Sequence, residues 1–256
     1  MLTTTPPGPG SAPDPAPDPT SGATLVDLWL IRTDRPGAAR RAALHGLLDA
    51  DERRRALGAR HPLGRDRYVI AHGAAREILA RRTGLAPTAL RWRTGPHGKP
   101  ELSFPERDLT TSLTHCEHLA LFAVTRGRPL GVDLERAPAQ AAAERLAQRF
   151  YPPADAELVG TGSGAADRFA RLWTRKEAYV KAFGGRLAEG LRQPMPGDGP
   201  LVLPGPDRAC RITDLPRLGP YRAALALAGT APYLVRLHDW AAEPQAKFNS
   251  EVVVDR

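Results

Sequence analysis

Residues 171–185, RLWTRKEAYVKAFGG, decide how the second half of the chain folds. Successive residues lie about 100° apart around a helix, so apolar residues three or four positions apart share one face. The apolar face of this segment comprises Phe169, Leu172, Trp173, Val180 and Phe183. The pattern predicts a long amphipathic helix over residues 167–183, with this face packed against the core.

Three charged residues lie on or beside that apolar face. Lys176 falls inside it, and Glu177 and Lys181 lie one turn apart at its edge. A charge at an apolar border is costly unless it is paired or bound to another charged group. An exposed pair four positions apart would account for Glu177 and Lys181. It would leave Lys176 unexplained.

Upstream, residues 131–135 read GVDLE, an apolar strand that carries two carboxylates. Alternate side chains of a strand point to opposite faces, so Asp133 and Glu135 share one face and the apolar side chains share the other. Two neighbouring carboxylates repel each other unless a cation neutralises them, and oxygen ligands favour Mg²⁺. The alternative is the exposed face of an edge strand.

Residues 94–102, TGPHGKPEL, form a candidate phosphate-binding loop. Gly95 and Gly98 leave backbone amides open, Pro100 stiffens the loop, and Lys99 is expected at its tip. An ammonium beside free amides suits a phosphate, although an ordinary turn has the same pattern.

Residues 111–124, TSLTHCEHLALFAV, place Thr114 and His115 just before an apolar strand. There they can offer a hydroxyl and an imidazole to an anion, and the alternative is a histidine satisfied within the core. Zinc binding by His115, Cys116 and His118 is not supported, because no second pair of ligands with matching spacing exists.

The net charge of +8 is unevenly distributed. Three aspartates and no Lys or Arg among residues 1–31 leave +11 for the rest. This balance predicts an anionic partner: a nucleic acid, a phosphorylated cofactor or an acidic protein. Of the 36 basic residues only four are lysines. We therefore expect lysine where a compact ammonium is specifically needed.

The order of elements predicts an α+β fold. Residues 1–22 are rich in Pro, Gly and Ser and are expected to form a disordered tail. Helices are predicted over residues 49–57, 66–82, 139–150 and 167–183. Strands are predicted over 24–31, 118–124 and 129–135, on either side of the Gly/Pro-rich loop within residues 90–102, and near 201, 209–212, 221–227 and 233–237. The strands at 118–124 and 129–135 are predicted to pair as a hairpin across TRGR.

Strands and long helices follow one another twice along the chain. This plan predicts two similar α+β halves, residues 23–127 and 128–240, followed by a tail over 241–256. The second half contains the candidate metal site.

Several classes of protein are excluded by what the sequence lacks. No apolar run approaches the roughly 18 to 20 residues of a membrane-spanning helix, and no signal peptide is evident, so we expect a cytoplasmic protein without a membrane partner. Cys116 and Cys210 form no C-x-x-C pair, which favours reduced thiols. No serine-hydrolase elbow and no phosphate-binding P-loop are present.

Taken together and in order, GKP, THC, GVDLE and WTRKEAYVKAFG resemble a known family. The chain is similar, over residues 49–237, to the 4′-phosphopantetheinyl transferases of the single-chain Sfp type. Their marks are G-K-P, an S-x-S-H-S-like segment, G-[IV]-D-[IL]-E and W-[ST]-x-K-E-[AS]-x-x-K. The resemblance implies a pseudo-twofold duplication, with the active site in the cleft between the two halves.

The resemblance also implies a role for particular residues. Glu177 and Lys181 would be catalytic, with Glu177 helping to deprotonate a serine and Lys181 contacting the pyrophosphate of coenzyme A. Metal ligands for Mg²⁺ would be Asp133, Glu135 and Glu177. Further contacts to coenzyme A would come from Arg55, Arg93, Gly98, Lys99, Pro100, Thr114 and His115. The family usually has S-H-S where this chain has T-H-C, so we expect Cys116 to have lost its role or to act sterically.

The implied function is Mg²⁺-dependent transfer of phosphopantetheine from coenzyme A to an acidic apo acyl or peptidyl carrier protein, which yields the holo carrier protein and 3′,5′-ADP. The family resemblance further implies a monomer that serves polyketide or nonribosomal peptide synthases. The alternative is a basic nucleic-acid-binding module without catalytic activity. The aromatic content of only 6% argues against that module, because such proteins stack bases on exposed aromatic rings.

Overall fold

The computed structural model describes residues 23–95, 98–104, 108–195, 197, 199–241 and 251–253. The tail predicted over residues 1–22 lies outside these ranges. Most of the tail predicted over residues 241–256 lies outside them too. No helix among the described residues is both long and apolar enough to cross a membrane.

The described chain is a mixed α+β fold, as predicted. The first half contains β1 (Thr24–Arg32), α1 (Ala38–Leu47), α2 (Ala50–Leu57), α3 (Pro62–Thr83), β2 (Arg91–Thr94), β3 (Pro100–Phe104), β4 (Leu109–Cys116) and β5 (Leu119–Arg126). The second half contains β6 (Leu130–Arg136), α4 (Gln140–Phe150), α5 (Pro153–Val159), α6 (Ala165–Phe183), α7 (Leu187–Arg192), β7 (Leu201–Leu203), β8 (Cys210–Asp214), β9 (Tyr221–Ala228) and β10 (Tyr233–Asp239), and β11 (Glu251–Val253) follows it. The sequence patterns did not predict α1, α5, α7 or β4, nor β11, which pairs with β10 inside the segment predicted to be a tail.

Three sheets organise these strands. The first has the order β11-β10-β1-β5-β4, the second is the pair β2-β3, and the third has the order β6-β9-β8-β7. Strand β10 runs parallel to β1, with Arg236 opposite Asp27. The end of the chain therefore returns to the first sheet, and the boundary between halves at residues 127 and 128 stays a prediction.

The predicted hairpin between the strands at 118–124 and 129–135 is wrong. Strand β5 pairs with β1 and β4, whereas β6 pairs with β9 in a different sheet, with Asp133 opposite Ala224. The connection at residues 127–129 crosses from one sheet to the other. Both strands are buried and apolar, and such strands can pair edge to edge or pack face to face without any difference in their pattern.

Apolar side chains fill three layers between these elements. Alternate residues of β5 point to opposite sides, so Phe122 packs against α1–α3 and Leu121 packs against the third sheet. The same alternation sends Val132 of β6 into the layer between the two sheets. The outer face of the third sheet packs against α4–α7, where Phe169 and Leu172 are buried as predicted.

Helix α6 lies unusually close to strand β6, at Gly131. A Cβ atom at this position would overlap the carbonyl oxygen of Ala178 and lie 2.5 Å from the backbone nitrogen of Ala182. Because both neighbours are helix backbone, they cannot move aside as a flexible side chain would. Gly131 therefore sets the distance between β6 and α6, and with it the distance between their charged residues.

We expect Gly131→Ala to lower the free energy of unfolding by about 3 kcal/mol, because the added methyl group must push helix backbone out of a packed interface. Urea unfolding of the purified protein measures this change. The matched control is Gly46→Ala in α1, where a Cβ atom meets nothing within 4 Å. Equal unfolding midpoints for the two variants would show that the close approach is not a constraint.

Candidate active site

A cleft of about 430 Å³ opens between α2, α3, the β2–β3 pair and the C-terminal end of α6. It brings together seven of the residues singled out in the sequence as cofactor contacts. These are Arg55, Arg93, Gly98, Lys99, Pro100, His115 and Lys181. They come from both halves of the chain, so only the folded protein assembles them.

Arg55 is held at the cleft by the way α2 begins. The side chain of Asp49 accepts a hydrogen bond from the backbone N–H of Glu52 at 2.9 Å, and Glu52 accepts one from the N–H of Asp49 at 3.0 Å. The fully buried Arg76 of α3 donates to both carboxylates, at 2.6 and 2.7 Å. Arg76 thereby fixes α2 to α3. Sequence reasoning missed it, because the helix pattern does not show which elements a buried arginine joins.

Aromatic rings form one wall of the cleft. Tyr68 and His72 stack with ring centroids 3.9 Å apart, and Trp92 lies on the same lining. His115 lies near the end of β4 and just before the apolar strand β5, as predicted, and it lines the same cleft. Burial, with the nearby positive groups, lowers the pKa of His115. The neutral imidazole is therefore favoured, which suits a hydrogen-bonding role over that of a cation.

The sequence predicts Lys99 at the tip of a loop, but in the structure its side chain is bound to two backbone carbonyl groups. Its Nζ donates to the carbonyl oxygens of Leu130 at 3.1 Å and Ala182 at 3.0 Å, so it ties the β2–β3 pair to β6 and α6. Burial lowers the pKa of Lys99 to about 8. An ammonium has three donors, and two are used here, so one remains for a ligand in the cleft.

A cluster of three carboxylates lies beside the cleft, where β6 meets α6. Asp133 is only 2% exposed, and its Oδ1 accepts from Lys181 Nζ at 2.5 Å and from Thr114 Oγ1 at 3.1 Å. Its Oδ2 is buried without a hydrogen-bond partner. Thr114 therefore lies in this cluster, and its contact with coenzyme A stays a prediction.

The other two carboxylates, Glu135 and Glu177, are surrounded by an excess of negative charge, which raises their pKa values. Burial and the charge of Asp133 raise the pKa of Glu135 to about 7, and Glu177 adds to the effect. Burial and Asp133 raise the pKa of Glu177 as well. Lys181 is the ammonium that offsets this charge. In the described part of the chain, no three His, Cys, Asp or Glu side chains are already placed to hold a metal ion.

These observations test whether the cluster suits Mg²⁺. A buried carboxylate oxygen without a partner and two carboxyl groups with raised pKa values are what a missing positive charge produces. All the donors are oxygens, which Mg²⁺ prefers. The residue types and their electrostatics therefore fit the ion.

One face of β4 lines this cluster. Ser112 accepts a hydrogen bond from the backbone N–H of Val132 at 3.0 Å, and Thr114 donates to Asp133. Next along the same face, Cys116 Sγ lies 4.0 Å from Glu135 Oε2. Burial raises the pKa of the Cys116 thiol, so it is a weak nucleophile. The thiol contacts a carboxylate of the cluster, where we had expected a lost or steric role.

Lys176, inside the apolar face of α6, is paired as its position required. It is fully buried, and its Nζ donates to Asp155 Oδ2 at 2.5 Å and to the carbonyl oxygen of Gln193. It also lies 4.9 Å from the centre of the Tyr151 ring. Asp155 in turn accepts from the N–H of Met195 at 3.0 Å. This pair fixes α5 and the segment after α7 to α6, next to Glu177.

We expect Lys176→Met to lower the free energy of unfolding by about 3 to 5 kcal/mol, because it leaves the carboxylate of Asp155 buried without its cation. Denaturant unfolding measures the loss. The double variant Lys176→Met/Asp155→Asn removes both charges and keeps an acceptor for Met195, so it should regain part of that stability. A single variant as stable as the parent would contradict the pairing.

The fold and the site thus define an α+β protein in which a cleft lined by charged and aromatic side chains adjoins a cluster of carboxylates. A family model of the 4′-phosphopantetheinyl transferase superfamily matches residues 129–226, which include β6 and α6. Three relatives extend the match beyond this segment.

The 4′-phosphopantetheinyl transferase HetI of Nostoc sp. is 36% identical over 168 residues, which cover 64% of this chain and 70% of that protein. The protein slr0495 of Synechocystis sp. is 32% identical over 174 residues, covering 67% and 70%. The 4′-phosphopantetheinyl transferase of Bacillus subtilis is 23% identical over 189 residues, covering 71% and 82%. The chain belongs to the 4′-phosphopantetheinyl transferase superfamily.

Proposed function

We propose that this protein transfers the 4′-phosphopantetheine arm of coenzyme A to a serine of an apo acyl or peptidyl carrier protein, and that it is a member of the Sfp type. One observation carries the proposal: the cleft that holds Arg55, Lys99 and His115 ends at Lys181, whose ammonium reaches the carboxylate cluster at Asp133. A phosphorylated ligand in the cleft would therefore present its reacting phosphate next to the carboxylates of Asp133, Glu135 and Glu177, whose oxygens suit a divalent cation.

The cleft suits the nucleotide end of coenzyme A. Arg55, Lys99 and His115 would take the phosphates of the 3′-phosphoadenosine, and Arg93, Gly98 and Pro100 would make further contacts along the lining. The Tyr68–His72 stack offers an apolar face to the base. A volume of about 430 Å³ is within the usual range for a pocket that binds a small molecule.

The carboxylate cluster would hold Mg²⁺ through Asp133, Glu135 and Glu177. Bound there, the ion would act as a Lewis acid that neutralises charge on the pyrophosphate. The remaining chemistry belongs to side chains of this protein. Thr114 orients Asp133 through the hydrogen bond between their side chains.

The transfer itself needs one proton to be removed and one leaving group to be stabilised. The serine oxygen bonds to the β-phosphorus of coenzyme A, the bond from that phosphorus to the bridging oxygen breaks, and 3′,5′-ADP leaves with the electron pair. Glu177 accepts the serine proton, a general-base contribution of about 10²- to 10⁴-fold. Lys181 donates to the pyrophosphate oxygens as negative charge develops there.

The charge of the protein supports an acidic carrier protein as the partner. The net charge of +11 outside residues 1–31 would speed the encounter with an acidic surface, and added salt would slow it. We propose that the protein acts as a monomer on carrier proteins of polyketide or nonribosomal peptide synthases. We also propose that residues 23–127 and 128–240 arose by duplication, since each contributes at least three strands to a sheet whose outer face is covered by its own helices.

The experiment that tests the function combines the protein, coenzyme A, Mg²⁺ and an apo carrier protein, and weighs the carrier by mass spectrometry. We expect a gain equal to one phosphopantetheine arm. Asp133→Asn should abolish the gain, because it removes a charge from the cluster while leaving the apolar face of β6 intact. The matched control is Asp108→Asn, an exposed aspartate paired with Arg126, which should transfer like the parent. No gain with the folded parent protein would overturn the proposal.

A second prediction concerns pH and Lys99. Burial holds its pKa at about 8 in the free protein, so the ammonium is present below pH 8 and lost above it. A phosphate binds the ammonium, so affinity for coenzyme A should fall as pH rises through 8, by roughly tenfold one pH unit above that pKa. Binding in that range should also take up a proton. Calorimetry in buffers of different ionisation enthalpy measures both effects.

The control for this prediction is Lys99→Met. We expect it to bind coenzyme A more weakly at neutral pH and with little dependence on pH above 8. An unchanged pH profile in the variant would show that Lys99 acts only as the tie to Leu130 and Ala182.

A further inference from the structure

Strands β4 and β6 lie against each other along a seam between the two larger sheets. Among the described strands, each of them stands at the edge of its own sheet, with β4 paired to β5 and β6 paired to β9. No backbone pairing joins β4 to β6 in the described part of the chain, so side chains make the connection. The contacts along this seam are Ser112 with Val132, Thr114 with Asp133, and Cys116 with Glu135.

The last contact of the seam joins Glu117 to Arg136. Glu117 follows Cys116 in the turn between β4 and β5, and its two carboxylate oxygens accept from one nitrogen of Arg136 at 2.9 and 3.1 Å. Tyr221 of β9, which is 2% exposed, donates its hydroxyl hydrogen to the same carboxylate at 2.5 Å. The Tyr221 oxygen also lies 3.2 Å from His118 Nδ1, and the two rings meet edge to face. Two strands of the third sheet thus hold the turn at the end of β4.

The backbone of Glu117 indicates that this arrangement does not serve the stability of the turn. With a φ of 49°, Glu117 is the only described residue other than glycine that has a positive φ. That conformation costs free energy for a residue with a Cβ atom, and glycine adopts it freely. The ion pair with Arg136 is exposed, and such a pair adds little stability. Stability alone would therefore favour glycine, and a strained residue with fixed partners points to a local function.

The position of this contact shows what it controls. Glu117 is next to Cys116, and Arg136 is next to Glu135, whose carboxylate lies 4.0 Å from the Cys116 sulfur. The bond between Glu117 and Arg136 therefore fixes the separation of β4 and β6 at the point where Glu135 projects. Without it, the ends of the two strands would be joined only by the weak contact of the thiol.

We propose that Glu117 and Tyr221 are positioning residues, which hold the end of β4 against the end of β6 and so fix the position of Glu135 in the carboxylate cluster. Both residues act through the strand that carries Glu135. Their effect on transfer rests on the proposed function, whereas the connection between the two strands does not.

The first test replaces Glu117 and separates this role from a purely structural one. Glu117→Gly removes the carboxylate and relieves the strained turn, so we expect an unfolding midpoint equal to or above that of the parent. In the carrier-protein assay, kcat should fall at least about tenfold while KM for coenzyme A stays within about twofold, because the cleft contacts lie elsewhere. Glu117→Gln keeps an acceptor for Tyr221 and should recover part of kcat. The matched control is Asp108→Asn, which breaks an exposed ion pair at the other end of the same hairpin.

The second test needs no activity. Hydrogen exchange of the full chain, followed by mass spectrometry, reports on one strand after a change in the other sheet. Glu117→Gly should speed exchange in residues 130–136 of β6, and Tyr221→Phe should speed it in residues 114–119 of the hairpin. Asp108→Asn should leave both segments as in the parent.

Four results would overturn the proposal: parental kcat in Glu117→Gly, a change confined to KM, an unfolding midpoint of this variant below that of the parent, or unchanged exchange in either segment. A failure of the proposed function would differ from all of these. The parent itself would then transfer nothing, while each variant would still change the exchange of the opposite strand.

Discussion

The close approach of α6 to β6 at Gly131 is the constraint on which the site depends. With any side chain at this position, the helix would stand farther from the strand, because its backbone at Ala178 and Ala182 occupies the space. At the present distance, Lys181 Nζ reaches Asp133 Oδ1 at 2.5 Å. A helix displaced by the width of a methyl group would leave the carboxylates of β6 without this ammonium. The absence of a side chain at Gly131 therefore determines both how α6 packs on β6 and how close Lys181 lies to the carboxylates.

Strand β6 lies between the apolar interior and the charged residues of the candidate site. One face of β6 sends Val132 and Leu134 into the layer between the sheets, and the other turns Asp133 and Glu135 toward α6. Burying carboxylates raises their free energy, as the raised pKa of Glu135 shows, and the protein offsets this only in part through Lys181. The cluster therefore keeps an excess of negative charge, and Cys116 lies at its edge, against Glu135.

Buried cationic side chains join neighbouring elements, and arginine and lysine do so with different geometries. Arg175, fully buried on α6, binds Asp214 through two parallel hydrogen bonds of 2.8 and 2.7 Å. Arg76 joins α2 to α3 in a similar way. Lysine occurs where one atom must meet several acceptors: Lys99 donates to two carbonyl oxygens, and Lys176 donates to Asp155 and Gln193. The scarcity of lysine in the sequence was therefore informative.

The sequence alone was enough to predict the α+β class, the long helix α6 and the strand with Asp133 and Glu135, and the family resemblance singled out seven of the 22 residues that line the cleft. These features follow from local periodicity and short motifs. Periodicity carries no information on which buried strand pairs with which, so it wrongly joined β5 and β6 and did not place β10 beside β1. For the same reason it could not show that Lys99 binds Leu130 and Ala182, that Arg76 supports Arg55, or that Cys116 lies against Glu135. These contacts join residues far apart along the chain, and only the packing of sheets and helices against one another determines them.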